Sequence, residues 1–255
     1  MTNSVLKVEN LNKSYGDNQV LYDINFDLNE GELVSIIGPS GAGKSTLLRC
    51  INRLTEPEST STIIFDEENI VGLSKSQLTE KRKQIGMIFQ HYNLVYRLSA
   101  LENVLHGRLG SYSTFRGALS LYKEEDIKRA TEILEVLGLG DRKYYKCKDL
   151  SGGQKQRVGI GRALIQDPKM ILCDEPIASL DPQSSKMIME HLRWISQELR
   201  IPCLVNLHQV DVAKAYSDRI IGIKSGKIVF KGKPEDLSEA DLENIYGAKI
   251  DEILA

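Results

Sequence analysis

Nine consecutive residues, Gly38-Pro39-Ser40-Gly41-Ala42-Gly43-Lys44-Ser45-Thr46, have the types and spacing to cradle a phosphate. Glycines let backbone N–H groups turn inward around an anion where side chains would collide. A helix opening after the loop adds positive potential at the same end. In this pattern Lys44 reaches the β- and γ-phosphates of a nucleotide, the Ser45 hydroxyl ligates Mg²⁺, and Thr46 touches the α-phosphate. The competing reading is a flexible Gly/Ser loop, and the flanking elements decide against it. Leu33-Val34-Ser35-Ile36-Ile37 reads as a strand buried on both faces. Leu47, Leu48, Ile51 and Leu54 give the following helix an apolar face. The loop alone does not separate kinases, GTPases and ATPases. A GTPase needs a downstream Asn-Lys-x-Asp, and the only Asn-Lys, Asn12-Lys13, lies upstream without the Asp.

Two further stretches carry chemistry. Met170-Ile171-Leu172-Cys173 is an apolar strand that ends in Asp174-Glu175 and turns at Pro176. At the C-terminal edge of a parallel sheet Asp174 faces the phosphate loop and holds Mg²⁺. Glu175 is placed to take a proton from an attacking water. Paired acids could be a solvated turn, but the phosphate loop favours the functional reading. Leu150-Ser151-Gly152-Gly153-Gln154-Lys155-Gln156-Arg157-Val158 offers a second anion cradle at a helix start, by the same N–H logic.

These sites need a sheet with helices to hold them. Ile24, Phe26 and Leu28 alternate with Asn25, Asp27 and Asn29, the period of a half-buried strand, and Thr62–Phe65 reads as another strand. From about Leu94 to Leu150 helical periods and turn signals dominate, with Ile127, Ala130, Leu134 and Leu137 on one stripe and Gly138 at its end. Ile188, Leu192, Ile195 and Leu199 mark a later helix, and Cys203 to Leu207 the next strand. Ser225-Gly226 joins Arg219–Lys224 to Lys227–Lys231 as a hairpin. The tail is helical and acidic. The 255 residues, 41% hydrophobic, suffice to bury a core. With 33 Lys and Arg against 35 Asp and Glu, bulk charge does not call for nucleic acid, although a local basic patch remains open. The four cysteines form no Cys-x-x-Cys pair, which speaks against zinc ligands and fits a reducing compartment, and Cys173 and Cys203 sit inside apolar runs as small buried hydrophobes. No signal peptide and no bilayer-spanning run is expected.

The Ser151 motif resembles the signature of ATP-binding cassette proteins. The resemblance then extends over nearly the whole chain. It implies an α/β fold: a P-loop NTPase cassette with a mixed, largely parallel sheet core, an N-terminal antiparallel β subdomain and an inserted α-helical subdomain. On that pattern residues 1–255 form one cassette. Residues 1–93 and 160–232 make the core with its β subdomain, about 94–159 the helical part, and 233–255 a helical tail. The family pattern makes Tyr15 the adenine-stacking aromatic and Gln90 a contact to Mg²⁺ and the attacking water. Ser151, Gly152, Gly153 and Gln154 grip the γ-phosphate bound to the opposite subunit. Asp181 lies in the loop that crosses the dimer, and His208 touches the γ-phosphate. ATP and Mg²⁺ are the implied cofactors. The implied partners are a second copy, transmembrane permease subunits and, indirectly, an extracytoplasmic binding protein. The implied location is the cytoplasmic face of the membrane.

Some positions depart from the family. Lys155 replaces a frequent glutamine. Gly159 and Gly161 stand where alanines are usual, each costing the helix about 0.5–1 kcal/mol. Asp66-Glu67-Glu68-Asn69 lacks the usual hairpin glycine. Gln90 to Val95, the long segment Arg108 to Tyr122, Ile177-Ala178 after Pro176, and Gln209-Val210-Asp211 after His208 resemble the ATPase subunits of bacterial phosphonate importers. Phosphite or phosphate-type importers are the near alternative. A non-transport cassette acting on nucleic acid or ribosomes, and a P-loop kinase, are more distant ones.

Overall fold

The computed structural model describes residues 4–113 and 121–247. The chain opens with two twelve-residue antiparallel strands, β1 (Ser4–Tyr15) and β2 (Asn18–Asn29). Leu21, Ile24, Phe26 and Leu28 of β2 are buried while Asp23 and Asn25 face out, as a half-buried strand requires. After the turn at Gly31, β3 (Leu33–Ile37) leaves this sheet and founds a second one. The chain then forms α1 (Lys44–Ile51) and returns to the first sheet as β4 (Thr62–Phe65) and β5 (Glu68–Asn69). The β4–β5 turn, Asp66 and Glu67, takes left-handed φ values of 50° and 64° without a glycine. The first sheet has the order β2-β1-β4-β5.

After α2 (Lys75–Arg82) comes β6 (Ile85–Ile88). The chain then leaves the sheet for a helical region with α3 (Ala100–Leu105), α4 (Glu124–Val136) and α5 (Gly152–Leu164). It re-enters as β7 (Met170–Asp174), crosses through α6 (Pro182–Gln197) to β8 (Cys203–Asn206), and passes α7 (Val210–Tyr216) to β9 (Arg219–Lys224) and β10 (Lys227–Gly232). A last helix, α8 (Glu239–Tyr246), ends at the left-handed Gly247. The second sheet runs β10-β9-β3-β8-β7-β6 and is parallel except for β10. Every residue of β3, β6, β7 and β8 is buried, because both faces of this sheet are covered. Val34 and Ile36 of β3 join the core shared with α1 and the first sheet, while Leu33 and Ile37 join the core under α6. The helical region has its own core of Leu101, Val104, Ala130, Leu134, Cys147 and Val158. Among the described residues no helix is long and apolar enough to cross a membrane.

The pattern of apolar faces differs from expectation at three points. Ile127 is exposed, and its place on the inner face of α4 is taken by Asp126, whose carboxylate accepts from Arg108 Nε at 3.2 Å and from the Tyr112 hydroxyl. Those partners offset the cost of burying the acid. Leu54 and Leu199 are exposed because α1 and α6 end before them, and Arg53 and Arg200 adopt left-handed φ of 49° and 60°. Of the segment Arg108 to Tyr122, residues 114–120 lie outside the described residues, as do 1–3 and the tail beyond Gly247. The two helical glycines also differ from each other. A Cβ at Gly161 would lie 3.0 Å from Val104 Cγ2, so a bare backbone there lets α3 approach α5, whereas a Cβ at Gly159 meets nothing within 4 Å.

Candidate nucleotide site

The phosphate loop joins the end of β3 to the first turn of α1, and its shape is imposed by its neighbours. Gly38 has φ 149°, and a Cβ there would sit 2.1 Å from the Ile223 carbonyl oxygen of β9. Gly43, at φ 104°, caps α1, and a Cβ there would press on Leu21 and Val20 of β2. The loop is therefore wedged between two strands. The cavity beside it, about 200 Å³, is lined by Val20, Ser40, Gly41, Gly43, Lys44, Ser45, Thr46, Glu175 and His208.

Lys44 is almost fully buried, and its ammonium donates to the carbonyls of Gly38 at 2.7 Å and Pro39 at 3.1 Å. Burial pulls it below the usual lysine range, and the charges of Glu175 and Asp174 oppose that pull. The Ser45 hydroxyl donates to Asp174 Oδ1 at 2.7 Å, joining the start of α1 to the end of β7. A hydroxyl and a carboxylate oxygen together are hard ligands of the kind Mg²⁺ takes. Asn206 at the end of β8 donates to the same Oδ1 at 2.9 Å, and its own Oδ1 is buried without a partner. One residue on, Glu175 has a left-handed φ of 52°, a conformation that costs about 1 kcal/mol or more outside glycine. That turn swings its carboxylate to within 2.6 Å of His208 Nε2.

The other expected residues are placed as follows. Ser151 caps α5: its hydroxyl accepts from Gln154 N at 3.3 Å, and Gln154 Oε1 accepts from Ser151 N at 2.9 Å. Asp181 caps α6 by accepting from Ser184 N at 2.8 Å. The two helix starts touch through glycine, for a Cβ on Gly153 would lie 2.6 Å from Ser184 Oγ. None of Ser151–Gln154 lines the cavity around Lys44. Tyr15 stands half-exposed at the end of β1, outside that cavity, with the Lys13 ammonium 4.8 Å from its ring centre. Gln90 is exposed just after β6 and makes no hydrogen bond to Ser45 or Asp174.

A family model of the ABC transporter matches residues 21–178, which include the phosphate loop, the Ser151 turn and Glu175. The chain belongs to the ABC transporter family. Its ABC relatives are similar over almost their full length. A phosphonates import ATP-binding protein of Oceanobacillus iheyensis is 56% identical, across 98% of this chain and 99% of the relative. One from Lactiplantibacillus plantarum is 52% identical, across 95% and 94%. Among solved structures, an ATP-binding cassette of an ABC transporter in its ADP conformation superposes with a TM-score of 0.82 at 30% identity, covering 99% and 98%. A dimeric bacterial ABC transporter cassette gives 0.79 at 36%, covering 90% and 98%.

Three residues of this ABC cassette escaped the sequence reading. Val20 walls the cavity from β2, and only its place opposite Gly43 marks it. Asn206 was legible as the one amide ending an apolar strand, two residues before His208. Arg162 of α5 donates to the carbonyls of Tyr92 at 2.8 Å and of Asn93, two successive left-handed residues beyond Gln90. The Tyr92 hydroxyl in turn lies 3.1 Å from where a Cβ on Gly152 would stand. Arg162 thus bolts the Gln90 loop to the helix that carries the Ser151 turn.

Proposed function

We propose that the chain is the ATP-hydrolysing subunit of a bacterial importer for phosphonates, working as a head-to-tail pair. Each ATP is held by one copy's phosphate loop and the other copy's Ser151 turn. The observation that carries the pairing is that residues 151–154 stay out of the cavity formed by their own phosphate loop. The amides of Gly152 and Gly153, which the Ser151–Gln154 capping pair leaves over at this helix start, suit an anion supplied by a neighbour. The dimeric cassette among the structural neighbours supports a pair. The phosphonate assignment is supported by relatives near half identity over the whole chain.

In this reading Gly38 to Thr46 wrap the phosphates, and Lys44 exchanges the carbonyls of Gly38 and Pro39 for β- and γ-phosphate oxygens. Ser45, Asp174 and Gln90 would hold Mg²⁺, which when bound would offset negative charge on the phosphate oxygens. His208 moves from Glu175 to the γ-phosphate, which frees the Glu175 carboxylate to take a proton from the attacking water. The γ-phosphorus to bridging-oxygen bond breaks, leaving ADP and phosphate. Tyr15 stacks on adenine, and Asp181 sets the crossing loop of the dimer. Closing and opening of the pair moves permease subunits at the cytoplasmic face of the membrane. An extracytoplasmic binding protein selects the cargo.

Reconstitution with the permease and binding protein tests this. Alkylphosphonates should stimulate ATP hydrolysis more than phosphite or phosphate. Stimulation by phosphate alone would reassign the cargo, and co-purification with ribosomes in place of a permease would overturn the transport role.

A further inference from the structure

The helical region carries a basic, aromatic surface that the nucleotide chemistry does not use. Residues 142–148 lie along residues 96–101. Leu101 N donates to the Lys143 carbonyl at 2.9 Å, Ala100 N to Tyr145 at 3.0 Å, and Lys148 N to Tyr96 at 3.0 Å. Cys147 is buried between them, which turns Lys146 and Lys148 outward. Arg97 and Arg142 are exposed as well. Three tyrosines stand among these cations: Tyr144 is 73% exposed, Tyr145 46% and Tyr96 47%. Each ring has a cation over one face: Arg142 4.5 Å from Tyr145, Lys143 5.3 Å from Tyr144, and Lys155 5.6 Å from Tyr96. The patch sets these six basic side chains against three acids, Glu102, Asp141 and Asp149, on a chain whose net charge is −2.

We propose that this patch binds the anionic phospholipid surface of the membrane. Clustered lysines and arginines are drawn to an anionic leaflet, and tyrosine, with an apolar body and a polar tip, sits well at the interface. Four of the six cations are lysines, point charges that suit a diffuse array of headgroups better than one bidentate partner. The capped ring faces speak against RNA, whose bases would need them for stacking. The choice of a membrane rests in part on the importer reading, yet the patch itself does not.

The test uses the full chain, without permease or cargo, in flotation with vesicles of phosphatidylcholine alone or containing phosphatidylglycerol. Binding should require the anionic lipid and fall steeply as salt shortens the screening length to about 3 Å near 1 M. Each basic side chain near such a surface is worth a factor of about five, so K143Q/K146Q/K148Q should bind about a hundredfold more weakly. Its ATP hydrolysis in solution should be unchanged. Y144S should weaken binding without altering the salt dependence. Equal binding to both vesicle types, no binding to either, full binding by the triple variant, or tighter binding to single-stranded RNA would overturn the proposal. Since no permease or phosphonate takes part, such a failure leaves the transport assignment standing.

Discussion

Gly153→Ala is the substitution whose outcome the geometry constrains most. The new methyl would lie 2.6 Å from Ser184 Oγ and 2.8 Å from Ser184 Cβ. Carbon contacts settle at about 3.5–4.0 Å, so the starts of α5 and α6 must separate by about 1 Å. Overpacking of that kind costs about 1–3 kcal/mol. Alanine returns about 0.5–1 kcal/mol of helix propensity. The net loss of stability is therefore small, while the shift falls on the turn that is to grip phosphate. A displacement of about 1 Å at a positioned group can lower a rate about a hundredfold. We expect G153A to lose about that much steady-state ATP hydrolysis, with a thermal midpoint only a few degrees lower by calorimetry. Ser184→Gly removes the obstructing atoms and keeps the amide that donates to Asp181. G153A/S184G should therefore recover most of the lost rate. Full activity in G153A would refute the steric account. Since Ser184→Gly also removes the hydroxyl that donates to Asp181 Oδ2 at 2.6 Å, a double variant as inactive as the single, with S184G alone active, would show that the methyl obstructs the ligand itself, not α6.

Glu175→Gln keeps the shape of the side chain but not its basicity, so ATP should trap a stable dimer by light scattering, with hydrolysis reduced about a thousandfold or more. Asn206→Asp would place a second carboxylate 2.9 Å from Asp174, and the Mg²⁺ concentration for half-maximal hydrolysis should rise at least tenfold, whereas Asn206→Leu should shift it less. Gly159→Ala should stabilise the chain by about 0.5–1 kcal/mol in urea melts, and Gly161→Ala, with 3.0 Å to Val104, should not. Burial pushes the Cys50 thiol up to about 12 and the Cys147 thiol to about 11, from 9.0. Their contribution to stability is thus whole below about pH 9 and lost as pH rises towards 11–12, and at about pH 8 iodoacetamide should label these two thiols only after unfolding.

The buried strands and the segments that meet at the cavity were legible because their signals are local, whereas the order of the strands in each sheet was not. A buried strand, a glycine loop and a helix face occupy adjacent residues, so Lys44, Ser45, Asp174 and Glu175 could be placed before any tertiary contact was known. What stayed hidden depends on separation in sequence. Gly161 reads as a defect in an isolated helix, and only Val104, from another helix, turns it into a fit. Asp126 on the inner face of α4 contradicts the apolar stripe until Arg108 and Tyr112 arrive to satisfy it. Arg162 reads as a surface cation on α5, since the carbonyls it serves lie some seventy residues earlier. Tyr15 and Gln90 were named through resemblance alone, and both stand apart from the cavity that the local signals predicted.

That separation bears on how the site works. Lys44, Ser45, Asp174, Glu175 and His208 are bonded to one another or to the loop. A nucleotide must exchange these bonds, and exchanges of hydrogen bonds give little net energy. Charge does not supply the difference either, for one ammonium faces two carboxylates and the arriving triphosphate adds more negative charge. The favourable terms left are the backbone amides of the phosphate loop, a divalent cation that Ser45 and Asp174 would hold, and whatever a second cradle contributes. The Ser151 turn lies outside its own chain's cavity, and its helix packs closely against α6 at Gly153 and Ser184. In the proposed pair, that remaining contribution falls to the Ser151 turn of a second chain.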